Sequence, residues 1–504
     1  MDVEQLFAGL AGCVSVDSYN TAWVALVPDT NEPGKPQWPQ ALAFLRATQL
    51  PDGGWGAPFI YHAHERTLCT LAAIAAFSCW QKTAVSCQQD SQRISQGIAA
   101  LHKYAQDLAK DPLELVGYEL LLPRLVRLLE SYDLDLPTES WYKILDIGQR
   151  KMFLLGSLEI EPTKPRAWWF SMEILPEERL AQLDESFLTH HGSIATSTAA
   201  TAAFLRAQRL HGKDSPRAAA FIRRMLAIGH SGAAFSWPIE HYELLWILDQ
   251  LKRVQFPVSH PSVQKAIHGL ERYWLLPPIG FAGSSAFAVA DGDDTSVGYD
   301  VLRWGQTRPS IDPLLAFWHE THFRTYLDEL TASVTVNLHA LSALRHDAAS
   351  QPAVQEIGHA VLEWLRPHLS NDNGFADKWH YSPMYVAGHA LETLLEWDHG
   401  LAQKSLDFLL AQQQPDGGWG CGSYTTVEET GHALIGLTAA FRDGLLKDKR
   451  PLCHAAHFLH SRQNDPAVER LWIGKTLFNS PTIVAAIRFA ASYALEQLNI
   501  PIAG

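Results

Sequence analysis

The chain has 504 residues, 47% of them apolar and 19% charged, which gives room for two or three domains around a large core. Its formal charge of −14 excludes a nucleic-acid partner, whose phosphates must be met by clustered Lys and Arg. An anion could be held only by a local basic pocket or a bridging metal. The six cysteines, Cys13, Cys69, Cys79, Cys87, Cys421 and Cys453, contain no C-x-x-C pair, a pattern of reduced thiols that points to the cytoplasm. The opening Met1-Asp2-Val3-Glu4 has no basic n-region. The apolar runs, such as residues 67–80, are too short or too interrupted for an integral membrane span.

Taken in order, the first clear unit is residues 41–56, ALAFLRATQLPDGGWG. It reads as an apolar-periodic helix, a Pro51-Asp52-Gly53-Gly54 turn and then Trp55. Pro presets φ, Asp caps locally and Gly supplies positive φ. Glu65 follows ten residues after the tryptophan, near the start of an Ala/Leu-rich helix. Weaker echoes of turn-then-helix occur at His191-Gly192-Ser193 and Asn373-Gly374-Phe375. Helical apolar spacing, not strand alternation, runs through 242–251, 334–344 and 385–397. Residues 405–420, SLDFLLAQQQPDGGWG, then repeat the first unit with 11 of 16 positions identical, again with a glutamate (Glu429) ten residues after Trp419. The expected fold is all-α, with two related barrels of paired helices. The repeat reads as structural, its Gln and Trp stitching helix ends.

The chemistry is expected at Asp291-Gly292-Asp293-Asp294-Thr295, after the apolar run 281–290. Three carboxylates this close in an apolar setting cannot all ionise cheaply, so one can stay protonated and act as a proton donor. The plainer reading is a helix start, with acids at the N-terminal dipole and Thr295 helping to cap. Two other signals carry little. His454, His457 and His460 beside Cys453 form a wet helix face more readily than a zinc site. His319-Glu320-Thr321-His322 is one residue short of H-E-x-x-H.

The two Gln-x-Pro-Asp-Gly-Gly-Trp-Gly turns together with Asp291-Gly292-Asp293-Asp294 resemble the class II diterpene cyclases, and the likeness extends over nearly the whole chain. Residues 18–25 (SYNTAWVA) look like that family's N-terminal signature, with Asn20 in place of the usual acid. Residues 116–119, 192–193 with 201–204, 377–380 and 471–475 also match. The resemblance implies an α/α-barrel didomain: residues 1–15 as the first helix of a β domain, 16–235 as an inserted γ domain and 236–504 as the rest of β. No D-D-x-x-D motif of a diphosphate-ionising domain is present.

The reaction implied is protonation of geranylgeranyl diphosphate, ring closure and loss of a proton, with the diphosphate retained. By the resemblance Asp293 is the acid, Asp291 and Asp294 tune it, and Asn337 bonds it and aims its proton. Aromatic candidates along the cation path are Trp168, Trp169, Phe170, Phe235, Trp237, Trp304 and Trp379, since a π-face attracts positive charge. Lys151, Lys475 and Lys378 are the substrate-binding cations, and Mg²⁺ is the implied cofactor, with Asp111 and Glu114 in the place of the family's acidic segment. Where ent-copalyl-forming relatives carry a His and an Asn as terminal base, the aligned residues are Phe170 and Phe235. Rearrangement should then outrun deprotonation, giving a halimane or clerodane diphosphate of the tuberculosinyl or kolavenyl type. His380, Tyr381 or His339 is the later base. The alternatives are a copalyl diphosphate synthase of other stereochemistry, a squalene–hopene-like cyclase acting on a neutral polyprene, and an inactive isoprenoid-binding barrel. Oligomeric state is left open, a homodimer being one arrangement.

Overall fold

A computed structural model of the chain describes all residues other than 1, 11, 13, 82, 84, 86, 112, 114, 157–158, 231, 275–278, 330, 373, 464–467 and 501–504. It divides into two compact units: residues 1–12, 239–471 and 480–504 form the first, and 13–238 with 472–479 the second.

In the first unit, six of the described helices close a ring: Glu240–Arg253, Gly292–Trp304, Val334–Ala348, Pro383–Leu395, Val427–Asp443 and Pro481–Gln497 each pack on the next, and the last returns to the first. Helices Pro261–Glu271, Pro352–Leu365, His399–Gln412 and Arg450–Ser461 pack outside that ring. The second unit repeats the plan with Ser18–Ala25, Ala63–Trp80, Tyr118–Leu129, the 3₁₀ segment Ala167–Ile174 and Thr198–Leu210. Both units are therefore α/α-barrels.

Sequence decides which helices go inside. Ala63–Trp80 is buried along almost its whole length, because beyond His64, Glu65 and Arg66 in its first turn it is apolar or small on every side, as an inner helix must be. Pro216–Ile228 buries only Ala218, Ala219, Phe221, Ile222, Met225 and Leu226, a single stripe at helical spacing that faces one neighbour.

The two tryptophan turns are superimposable in their bonding. Gln49 Nε2 donates to Gly53 O (2.8 Å) and Gln413 Nε2 to Gly417 O (2.9 Å). Trp55 Nε1 donates to Leu45 O and Trp419 Nε1 to Leu409 O. Gly53 and Gly417 have φ of +93° and +88°, and a Cβ there would lie 2.7 Å from Gln96 O or 2.3 Å from His454 O. The weaker echoes have the same turn: the backbone bonds Leu50 N→Gly54 O, Thr189 N→Ser193 O, Ser370 N→Gly374 O and Gln414 N→Gly418 O all recur.

One stretch departs from the expected division. Residues 472–479 were assigned with the flanking β-domain chain but pack within the second unit. There Gly474 O accepts the N–H of Val116, Lys475 pairs with Glu173 and Phe478 stacks on Phe235.

Candidate active site

The helix Gly292–Trp304 begins at Asp291, whose Oδ1 accepts the backbone N–H of Asp293 (2.9 Å) and Asp294 (2.8 Å). Capping and acid chemistry thus coincide: Asp291 caps, and Asp293 and Asp294 occupy the first turn. Thr295 does not cap; its hydroxyl accepts the N–H of Phe281. Gly292 is required by close approach, since its N–H donates to Thr325 O and a Cβ would lie 2.2 Å from Arg324 O. Asp291 and Asp294 are buried, whereas the Asp293 side chain keeps 14% of its surface. Burial, then the neighbouring Asp293 charge, pushes the Asp291 carboxyl up to about 7, despite the helix N–H groups that oppose it. Burial and both neighbouring acids push Asp294 well above the usual carboxylate range. The cluster therefore holds protons at neutral pH.

Asp293 Oδ1 lies 2.6 Å from His339 Nδ1. His339 Nε2 is 3.2 Å from His389 Nδ1, and Arg253 Nη1 donates to His389 Nε2 at 2.9 Å. Aromatic rings surround this line: Trp246 stands edge-on to His339 (5.8 Å, 88°), and Tyr385 packs against both His339 and His389. The phenols of Tyr242, Tyr326 and Tyr385 are buried and, with carboxylates nearby, their pKa values rise well above the usual range, so they stay neutral. Trp379 is tied to the same corner. Its Nε1 donates to Thr325 Oγ1 (3.1 Å), on the residue whose carbonyl receives Gly292 N–H, and its ring meets Tyr326 edge-on.

Several expected roles do not hold. Asn337 does not bond the acid: its amide accepts from Phe323 N–H and donates to the carbonyls of Phe323 and Ser333, which uses it fully as a brace. His339, two positions on and about 200° around the helix, takes that place. Being bonded to the acid, it is also removed from the candidates for terminal base. Trp304 ends the helix that Asp293 begins, about 16 Å away along the axis, so it cannot line the space at the acid. Lys378 donates to Thr331 O and pairs with Glu329. Burial lowers its pKa to about 7, and the Asp293 charge opposes that shift.

In the second unit Phe170 and Phe235 come together, ring centroids 5.6 Å apart, and Phe478 stacks on Phe235 at 4.8 Å and 10°. Phe478 was not foreseen. Trp169 packs on Phe187, and Trp237 on Arg224 and His191. Lys475 is not an available phosphate ligand: fully buried, it spends its three N–H groups on Glu173 Oε1, Ser197 Oγ and Phe170 O, each at 2.7 Å. Lys151 pairs with Glu119 at 2.6 Å and remains partly exposed. Asn20 is structural, accepting Ala199 N–H and donating to Asp17.

Glu114 lies outside the described residues. Asp111 gathers with His62 and His64, each offering one ligand atom within 4.8 Å of the others. Asp111 Oδ2 already accepts Ala63 N–H. Two imidazoles and one carboxylate suit a borderline transition ion better than Mg²⁺, which prefers oxygen donors and water. His454 and His457 are exposed and form no such group.

No family model matches the chain. Among curated proteins, it is 29% identical to a type B diterpene cyclase of Mycobacterium tuberculosis over 98% of both chains. The chain is thus similar in sequence to a diterpene cyclase over nearly its whole length. It is also 28% identical to a (−)-kolavenyl diphosphate synthase of Tripterygium wilfordii, over 73% of this chain but only 44% of the plant protein. In fold, the chain is similar to an ent-copalyl diphosphate synthase from Streptomyces platensis (TM-score 0.79, 23% identity, 97% of each chain) and to abietadiene synthase from Abies grandis (TM-score 0.67, 20% identity, 98% of this chain and 57% of that one).

A cyclase of this class needs an acid strong enough to protonate an alkene, held away from water. The crowded Asp291–Asp293–Asp294 set, with the Asp291 and Asp294 carboxyls pushed up, lies among tyrosine and tryptophan rings. Sequence reasoning missed Arg253 and His389, which adjoin the acid only through the barrel's closure. It also missed His62 and His64, although the H-x-H spacing before Glu65 was visible.

Proposed function

We propose that this protein is a class II diterpene cyclase that converts geranylgeranyl diphosphate into a rearranged bicyclic diterpenyl diphosphate of halimane or clerodane type. The Asp293 O–H gives its proton to the terminal double bond, and the resulting tertiary cation is attacked by successive internal double bonds, closing two rings. Hydride and methyl shifts move the charge, and loss of one C–H proton restores neutrality. The carbon–oxygen bond to the diphosphate is untouched, and the product is an isomer of the substrate.

The observation that supports this reading most is the proton-holding carboxylate cluster, with Asp293 bonded at one oxygen by His339. Rearrangement is favoured by the sequence: where the resemblance puts a His and an Asn as terminal base in ent-copalyl-forming relatives, this chain has Phe170 and Phe235, which carry no lone pair to take the proton. Of the three lysines first considered, Lys151 remains the candidate for the diphosphate. The His62–His64–Asp111 group does not fit Mg²⁺ as a protein-built cage, so any Mg²⁺ would enter with the diphosphate of the substrate.

Incubation with geranylgeranyl diphosphate and Mg²⁺, dephosphorylation and identification of the alcohol tests the proposal. A rearranged bicyclic alcohol is expected. Mainly ent-copalol refutes the product assignment, and undiminished turnover by Asp293→Asn refutes the acid.

A further inference from the structure

Arg253, His389, His339 and Asp293 stand in series, and the first fixes the protons of the rest. Arginine carries only N–H donors, so His389 Nε2, 2.9 Å from Arg253 Nη1, must be an acceptor. The guanidinium is held in place by Glu392 (2.5 Å), Gly388 O (3.0 Å) and Gln250 Oε1 (3.2 Å). His389 is buried, and burial together with the Arg253 charge keeps it neutral. Its one proton is then on Nδ1, aimed at His339 Nε2. With that lone pair occupied, His339 carries its hydrogen on Nδ1 and donates it to Asp293 Oδ1.

This tautomer matters because Asp293 and His339 share a further proton with two places to sit. On His339 Nε2 it makes an imidazolium–carboxylate ion pair, in which the acid is spent. On Asp293 Oδ2 it makes a carboxylic acid. Burial disfavours charge on His339, but the Asp293 charge, its hydrogen bond and Asp249 together draw the imidazole toward protonation. Asp249 and Lys252, from the helix Glu240–Arg253, act on it with opposite signs.

We propose that Arg253 and His389 are positioning residues that close His339 Nε2 to the proton and so keep it on Asp293 Oδ2. The His339 N–H on Oδ1 also withdraws charge from the carboxyl, making it a stronger donor. The proposal rests on Asp293 being the acid.

The test uses the full chain labelled with ¹⁵N-histidine, His339 being assigned by the signals lost in His339→Gln. Long-range ¹H–¹⁵N spectra at a pH of full activity are expected to show His339 neutral and protonated at Nδ1. An Nε2–H tautomer or an imidazolium overturns the proposal, with no variant needed. In kinetics, His389→Asn keeps an N–H donor at the Nδ1 position and His389→Asp replaces it with an acceptor. Expected are kcat within about tenfold of the parent for Asn and a loss of about 10² or more for Asp, with KM little changed. His339 should become imidazolium in the Asp variant's spectrum. Equal kcat in the two variants overturns the proposal. Asp293→Asn is the separate arm: if it stays active while the tautomer is as expected, the acid assignment fails and the proton order survives.

Discussion

Asp291, Asp294 and Asp300 lie on or at the cap of one helix and are all buried, yet they are driven in opposite directions. Asp300 is desolvated too, but Lys252 at 2.5 Å, Arg345 and His346 hold its carboxyl well below the usual range. Asp291 and Asp294 have acids for neighbours and are pushed up. Environment, not residue type, assigns the roles. The sign for stability follows. A carboxyl raised on folding contributes fully below its unfolded pKa of about 3.9, and that contribution is lost as pH rises through the folded value. For Asp291 the loss runs to about pH 7. Asp300, lowered on folding, keeps its contribution throughout that window. Urea denaturation at pH 5, 7 and 9 is therefore expected to show falling stability, with a shallower fall in Asp291→Asn, which retains a capping side chain. Identical slopes would mean that Asp291 does not take up a proton on folding. Turnover should fall over the same rise in pH, as the cluster loses its proton.

At the scale of elements, the acid's placement depends on one helix start lying against residues 324–325. Gly292→Ala would press a methyl onto Arg324 O, so the helix must shift. The expected outcome is a lowered Tm together with a kcat loss of at least tenfold, checked by thermal melting and steady-state assay. The tryptophan turns are the other critical element. Trp419 is fully buried and bonded to Leu409 O, and Trp419→Ala should cost about 3–5 kcal/mol in urea unfolding. These turns were legible in sequence because their bonds are local: Gln, Pro, Asp, Gly and Trp act within one loop. The partner of the acid was not. Asn337 and His339 lie on one helix, both buried and polar, and periodicity alone does not say which faces Asp293. Packing against Phe323 settled it by consuming the Asn337 amide.

At the scale of the whole molecule, none of the described helices is long and apolar enough to cross a membrane. The question of substrate is then one of charge. If the diphosphate brings Mg²⁺ with it, a chelator should abolish turnover and added Mg²⁺ restore it. An enzyme acting on a neutral polyprene would be indifferent to both, so assays with and without chelator separate the two readings. Free protein in equilibrium dialysis should retain little Mg²⁺, because Asp111 stands among imidazoles.

Sequence alone determined the all-α class, the doubled barrel plan and the clustering of three carboxylates at one helix start, because helical period, turn chemistry and clustered like charge are written in neighbouring residues. Tertiary structure decided which lysine is consumed by a buried glutamate, that residues 472–479 pack in the second unit, and that His339 rather than Asn337 meets Asp293. Those outcomes depend on which side chains from distant helices compete for the same lone pair, and only the closed barrels bring the competitors together.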